Sequence, residues 1–165
     1  MRAISLTPLA DAPELGDKPL GWSLELWGET NPWFSAEDWQ AFYERGAQAE
    51  FSRWDLAGRD QELIYLAMDG AQVVGAIALV DFDDLADFRH LKPWVAAFVV
   101  DPTKRGSGIG SQMLAALEKQ ARVFGIRELH LWTEDQRNFY RNRGYELLEH
   151  RDYPQIAIDV MRKSL

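Results

Sequence analysis

The sequence predicts a mixed α/β (α+β) fold, a central sheet with helices on its faces. Three observations lead there. Strand-like and helix-like segments alternate in the order β, α, α, β, β, β, α, β, α, β, β. A hairpin signal sits mid-chain, where the apolar runs Leu63–Met68 and Val73–Val80 flank Asp69-Gly70. After it, the continuous apolar run Trp94–Val100 passes through a glycine-rich loop into an amphipathic helix, as a strand buried on both faces would. With 165 residues and no linker, repeat or low-complexity tract, residues 1–165 are expected to form one domain with a sizeable core.

Each element has a local reason. Arg2 to Leu9 alternates apolar and polar residues as a short strand does. Leu20, Leu24 and Trp27 mark one face of a helix ending near Gly28. Thr30-Asn31-Pro32 breaks the chain. Ser35 with Asp38 three residues on starts a second helix, with Trp39, Phe42 and Tyr43 at helical spacing, expected to run to about Asp55. Asp81–Lys92 is acidic and irregular. Ile109, Met113, Leu117 and Ala121 recur every fourth residue, and Gly125 is the expected stop. Leu129–Thr133 reads as a strand. Thr133 and Gln136 cap an expected helix over Glu134–Arg143 that Gly144 ends, and Tyr145–His150 and Ile156–Arg162 close the chain as strands.

Composition excludes several classes. The chain holds no cysteine, so disulfides, thiolate metal sites and a cysteine nucleophile are all ruled out. A net charge of −8 disfavours non-specific nucleic-acid binding. The first residues lack the apolar core of a signal peptide, and no run is long enough to span a membrane, so a cytoplasmic location is expected. Three scattered histidines suggest no metal site. The charge is uneven: residues 1–90 carry 6 Lys/Arg against 17 Asp/Glu, net −11, and residues 91–165 carry 12 against 9, net +3.

The chemistry-bearing stretch is Phe98-Val99-Val100-Asp101-Pro102-Thr103-Lys104-Arg105-Gly106-Ser107-Gly108-Ile109-Gly110. Its glycines let backbone approach a ligand closely, and the first N–H groups of the following helix lack intrahelical partners. With the helix dipole and Arg105 they suit a phosphate or pyrophosphate. A Walker A loop would end in Gly-Lys-Ser/Thr, which is missing. Arg105-Gly106-Ser107-Gly108-Ile109-Gly110 resembles the acetyl-CoA loop of the GCN5-related N-acetyltransferase (GNAT) superfamily. Phe139-Tyr140-Arg141-Asn142-Arg143-Gly144-Tyr145 is similar to a second segment of that family, and the element order agrees along essentially the whole chain.

The resemblance implies a mixed, mostly antiparallel sheet of about seven strands flanked by about four helices. It implies acetyl-CoA as cosubstrate, bound by the backbone of Phe98, Val99 and Val100 and by the loop residues Arg105, Gly106, Ser107, Gly108, Ile109 and Gly110. Tyr140 matches the family's general acid, which protonates the departing thiolate, and no metal is needed. An acetyl-CoA-dependent N-acetyltransferase acting on a small-molecule, peptide or protein amine by direct attack is the expectation; a silent acyl-CoA sensor on the same fold is the alternative. Homodimers are common in the family, but no residue pattern marks a dimer face. At the position where many members carry a CoA-contacting asparagine, this chain has Thr133. Glu128, His130, His90, Asp81 and Asp84 stay open as the general base. Trp33 and Trp94 are the candidate walls of the acceptor pocket, and the cluster Asp81, Asp83, Asp84 and Asp87 could attract a cationic amine.

Overall fold

The computed structural model describes residues 3–50 and 54–165. Its strands are β1 (Ser5–Pro8), β2 (Glu62–Asp69), β3 (Gln72–Val80), β4 (Trp94–Val100), β5 (Glu128–Thr133), β6 (Glu146–Asp152) and β7 (Ala157–Ser164). The helices are α1 (Asp17–Trp27), α2 (Ala36–Gly46), α3 (Ile109–Val123) and α4 (Arg137–Arg141), with short 3-10 turns between some elements. The strands form one sheet in the order β1-β2-β3-β4-β5-β7-β6. Every pairing is antiparallel except β4 with β5.

Helices cover both faces. On one, α3 lays Ile109, Met113, Leu114, Leu117 and Ala121 against Leu63, Ala67, Ile77, Leu129 and Met161. Each large side chain so buried contributes roughly 1.5–3 kcal/mol. On the other face Trp39, Phe42 and Tyr43 of α2 pack with Ile64, Leu66, Ala78 and Trp94.

Most boundaries follow the local signals. The Ser35–Asp38 capping box forms in both directions, at 3.1 and 2.8 Å. Two helices are shorter than expected. α2 stops at Gly46, which packs so closely on Ile64 that a Cβ there would lie 2.5 Å from Ile64 Cδ1, and it does not continue toward Asp55. α4 starts at Arg137 because Thr133 Oγ1 accepts the Gln136 N–H at 3.0 Å and holds a turn ahead of the helix. The expected strand start at Arg2 and the part of the expected α2 over 51–53 lie outside the described residues.

Two irregularities mark the middle of the sheet. Ala76 pairs with Val99 and Ala78 with Ala96, so β4 carries an extra residue there, and Ala97 adopts φ +49°. This β-bulge bends the strand. Beside it, β4 and β5 pair only at Trp94 and His130 and then diverge.

Candidate functional site

The divergence of β4 and β5 opens a groove of about 870 Å³. Its walls include β4 from Val95 to Val100 and β5 from Leu131 to Thr133. Past the Trp94–His130 pair, the β4 edge facing β5 has no strand partner. Backbone groups on that edge are free to bond an extended ligand, as an added strand would.

At the end of β4 the chain enters the glycine loop. Asp101 Oδ1 accepts from the Thr103 N–H at 2.9 Å and from its hydroxyl at 2.8 Å, fixing the turn. Gly106 and Gly108 have φ +80° and +83°, and Gly108 is the N-cap of α3. A side chain at either position would be strained. No side chain caps α3, so its first N–H groups stay available beside Arg105.

The groove brings together Phe98, Val99, Val100, Arg105, Gly106, Gly108, Ile109, Gly110 and Tyr140, which the sequence singled out from two separate segments. Ser107 is turned aside, its hydroxyl donating to the Lys104 carbonyl. Arg143, a member of the second segment with no role assigned from the sequence, also lines the groove. Its Nε donates to Ser111 Oγ at 3.0 Å and its Nη1 to the Phe139 carbonyl at 2.7 Å, tying α4 to the start of α3.

Tyr140 sits edge-on to Phe139, with ring centroids 5.1 Å apart, and near Phe98 and Tyr145. Its hydroxyl makes no hydrogen bond among the described residues. Burial pushes the phenol pKa up, and the carboxylates of Asp83 and Asp135 push it further. Tyr145 is core: its hydroxyl donates to Glu118 at 2.9 Å, and Lys163 bonds the other carboxylate oxygen.

The aromatic candidates separate from the groove wall. Trp94 is fully buried, its indole N–H donating to the Leu91 carbonyl at 2.8 Å, and it is outside the groove lining. Trp33 packs edge-on to Trp132 and Tyr153, one layer behind the wall. Besides Phe98, Phe139 and Tyr140, the aromatic rings on the wall are those of Trp27, Phe34, Trp39, Phe42, Phe82 and Trp132.

The base candidates separate as well. His130 is buried, Nδ1 lies 3.1 Å from the Pro93 carbonyl, and burial lowers its pKa. His130, Glu128, His90 and Asp81 all lie outside the lining, and Asp81 accepts the Gln61 N–H at 3.0 Å. Asp84 lines the groove, with Asn31 Nδ2 donating to it at 3.4 Å. Burial pushes its pKa to about 6. Asp83 beside it, also on the wall, is raised well above the carboxylate range by burial and then by Asp84. Both halves of the chain add charge to the groove: Lys104, Arg105 and Arg143 are joined by Glu134 and Asp135 from the C-terminal half and by Asp83 and Asp84 from the N-terminal half.

The model of the acetyltransferase (GNAT) family matches residues 27–145, from α1 to Tyr145. The chain belongs to this family. It is 46% identical over 55 residues to N-alpha-acetyltransferase 80 of Mus musculus, covering 33% of this chain and 18% of that protein. It is 29% identical over 111 residues to amino-acid acetyltransferase of Aeromonas salmonicida (strain A449), covering 67% of this chain and 24% of that protein. The chain therefore spans a quarter or less of the length of these curated relatives. Its fold is that of an aminoglycoside 6'-N-acetyltransferase solved with coenzyme A, at TM-score 0.70 and 17% identity over 99% of this chain and 97% of the other. No described helix is long and apolar enough to cross a membrane.

Proposed function

We propose that this GNAT chain transfers the acetyl group of acetyl-CoA to a primary amine by direct attack in a ternary complex. One observation carries the reading: the open edge of β4, the glycine loop at the start of α3 and Tyr140 all line a single groove. The residues present suit the cosubstrate. The α3 N–H groups with Lys104 and Arg105 receive the pyrophosphate, and Phe98–Val100 offers backbone groups to the pantetheine arm. A backbone N–H near the bulge at Ala97 polarises the thioester carbonyl, as an oxyanion hole does.

Tyr140 supplies the proton for the departing thiolate. Its raised pKa keeps the phenol protonated at working pH. The burial that raises the phenol also raises a thiol formed beside it, so the proton transfer stays near balance. The chain has no cysteine to carry an acetyl group as a thioester, which favours direct attack by the amine. Asp83, Asp84, Glu134 and Asp135 favour a cationic acceptor in the groove.

A thiol-release screen with acetyl-CoA tests the reading across aminoglycosides, polyamines, amino acids and peptides. Thiol release that depends on one amine class is expected. Tight acetyl-CoA binding with no release by any amine would point to the sensor alternative.

A further inference from the structure

We propose that Asp83 is the catalytic base, the carboxylate that takes the proton from the acceptor amine in the groove it shares with Tyr140. This inference rests on the acetyl-transfer reading above and names the group that activates its nucleophile.

Four observations place it. First, Asp83 and Tyr140 line the same groove from different elements, one on the β3–β4 loop and one on α4, and the Asp83 charge acts on the phenol. Second, the one donor that acts on the Asp83 carboxylate among the described residues is the Trp132 indole N–H, and no arginine, lysine or backbone N–H is bonded to it. Asp81, Asp101 and Asp159 differ, since each is bonded to backbone or to an arginine. Third, the loop is built to present it. Leu85 N–H donates to the Asp83 carbonyl at 2.7 Å, and Asp84 takes φ +63°, a turn that places two successive carboxylates on the wall. Fourth, polar groups around it await a partner. The Trp132 indole N–H is buried and approaches Asp83 short of full hydrogen-bond geometry, which favours the charged carboxylate. Trp39, also on the wall and 5% exposed, has an unpartnered indole N–H as well.

The surrounding charges tune the base. Asp84 lies on the same loop, and Asp38 of α2 and Glu62 of β2 act on Asp84, Glu62 being paired with Arg45 at 2.7 Å. Glu134 and Asp135 after β5 and Tyr140 of α4 share the groove with Lys104, Arg105 and Arg143. Burial and then the Asp84 charge raise the Asp83 pKa above the carboxylate range, so it holds a proton more readily than a free aspartate does.

Protons balance over the cycle. Asp83 takes a proton from the incoming ammonium and passes it to water. The neutral amine attacks the thioester carbon, a C–N bond forms, and the nitrogen's second proton leaves by the same carboxylate. The C–S bond breaks and the thiolate takes the Tyr140 proton, which water replaces. One proton is released per turnover.

The test compares wild type, Asp83→Asn, Asp83→Glu and Asp84→Asn with an alkylamine found in the thiol-release screen and with methoxyamine, which is already neutral at pH 7. Asp83→Asn is expected to lower kcat/KM for the alkylamine by about 10²–10⁴-fold. The deficit should shrink with methoxyamine and with rising pH, and Asp83→Glu should restore part of the rate. Asp84→Asn should move the acidic limb of the pH profile to lower pH, because a neighbouring negative charge is gone. Acetyl-CoA affinity, read by tryptophan fluorescence, should stay within about twofold in every variant and so report correct folding. An Asp83→Asn enzyme with the wild-type rate and pH profile would overturn the base alone. Wild type that binds acetyl-CoA yet acetylates no amine would overturn the base and the acetyl-transfer reading together.

Discussion

Arg137 at the start of α4 grips Asp159 of β7 through two hydrogen bonds, Nε to Oδ2 at 2.9 Å and Nη2 to Oδ1 at 2.6 Å. Asp159 is 5% exposed, and His150 Nδ1 lies 2.8 Å from the same Oδ1. These partners hold the Asp159 carboxyl below the usual carboxylate range. A helix of five residues has little stability of its own, so the fork fixes where α4 sits. Tyr140 lies three residues along it.

Arg137→Ala should therefore move Tyr140 without touching the cosubstrate loop. We expect kcat to fall about tenfold or more, since small misplacements of reacting groups are costly. Acetyl-CoA affinity should be nearly unchanged. Unfolding stability should drop only modestly, because solvent screens the exposed Arg137 side of the pair. Arg137→Lys keeps the charge and loses the fork, so it should restore only part of kcat. A steady-state split of kcat and KM with a thermal melt checks all three.

Gly108 caps α3 at φ +83°, where an alanine is strained. Gly108→Ala should cost about 1 kcal/mol or more of stability. It should also tilt the N–H groups meant for the pyrophosphate. Calorimetry should show acetyl-CoA binding weakened at least about fivefold, and the loss should extend to coenzyme A, which shares the pyrophosphate. Unchanged affinity for both would remove the loop from the binding site.

Asp84 makes stability depend on pH in a stated direction. Burial raises its native pKa from 3.8 to about 6, so the folded chain holds this proton more tightly than the unfolded chain does. The penalty for ionising it is absent below pH 4, grows as pH rises through the native pKa, and is complete above pH 7. Asp84→Asn should accordingly stabilise the protein by about 1–2 kcal/mol at pH 7.5 and by almost nothing at pH 4. Asparagine tolerates the φ of +63° at this position. Denaturant unfolding at the two pH values checks it.

Much of the fold and the groove is legible in the sequence, and the rest is hidden for physical reasons. Local signals work where one residue carries one mechanism: the Ser35–Asp38 box, the Asp69-Gly70 hairpin and the four-residue step of α3 all form. The two GNAT-like segments place Arg105, Gly108 and Tyr140 on one groove although they are distant in sequence. The close packing of Gly46 on Ile64 at the end of α2 is a contact across the fold that no local pattern encodes. The bulge at Ala97 opens the cleft, but alanine carries no sign of a positive φ. Trp94 and Trp132 look alike as tryptophans on strands, and only the sheet shows that one is core and the other wall. Asp81, Asp83 and Asp84 are equal in sequence. The structure separates them, because Asp81 bonds Gln61 while its neighbours face the groove.

The most direct test of the proposed chemistry is acetyl-CoA turnover by wild type and Tyr140→Phe with a reactive amine, read as thiol release matched to N-acetylated product. Wild type should release one thiol per product. Tyr140→Phe should lower kcat by about 10²–10⁴-fold and leave acetyl-CoA affinity within about twofold. Equal turnover by the two proteins would contradict the assignment of Tyr140 as the acid, and with it the chemistry placed in this groove.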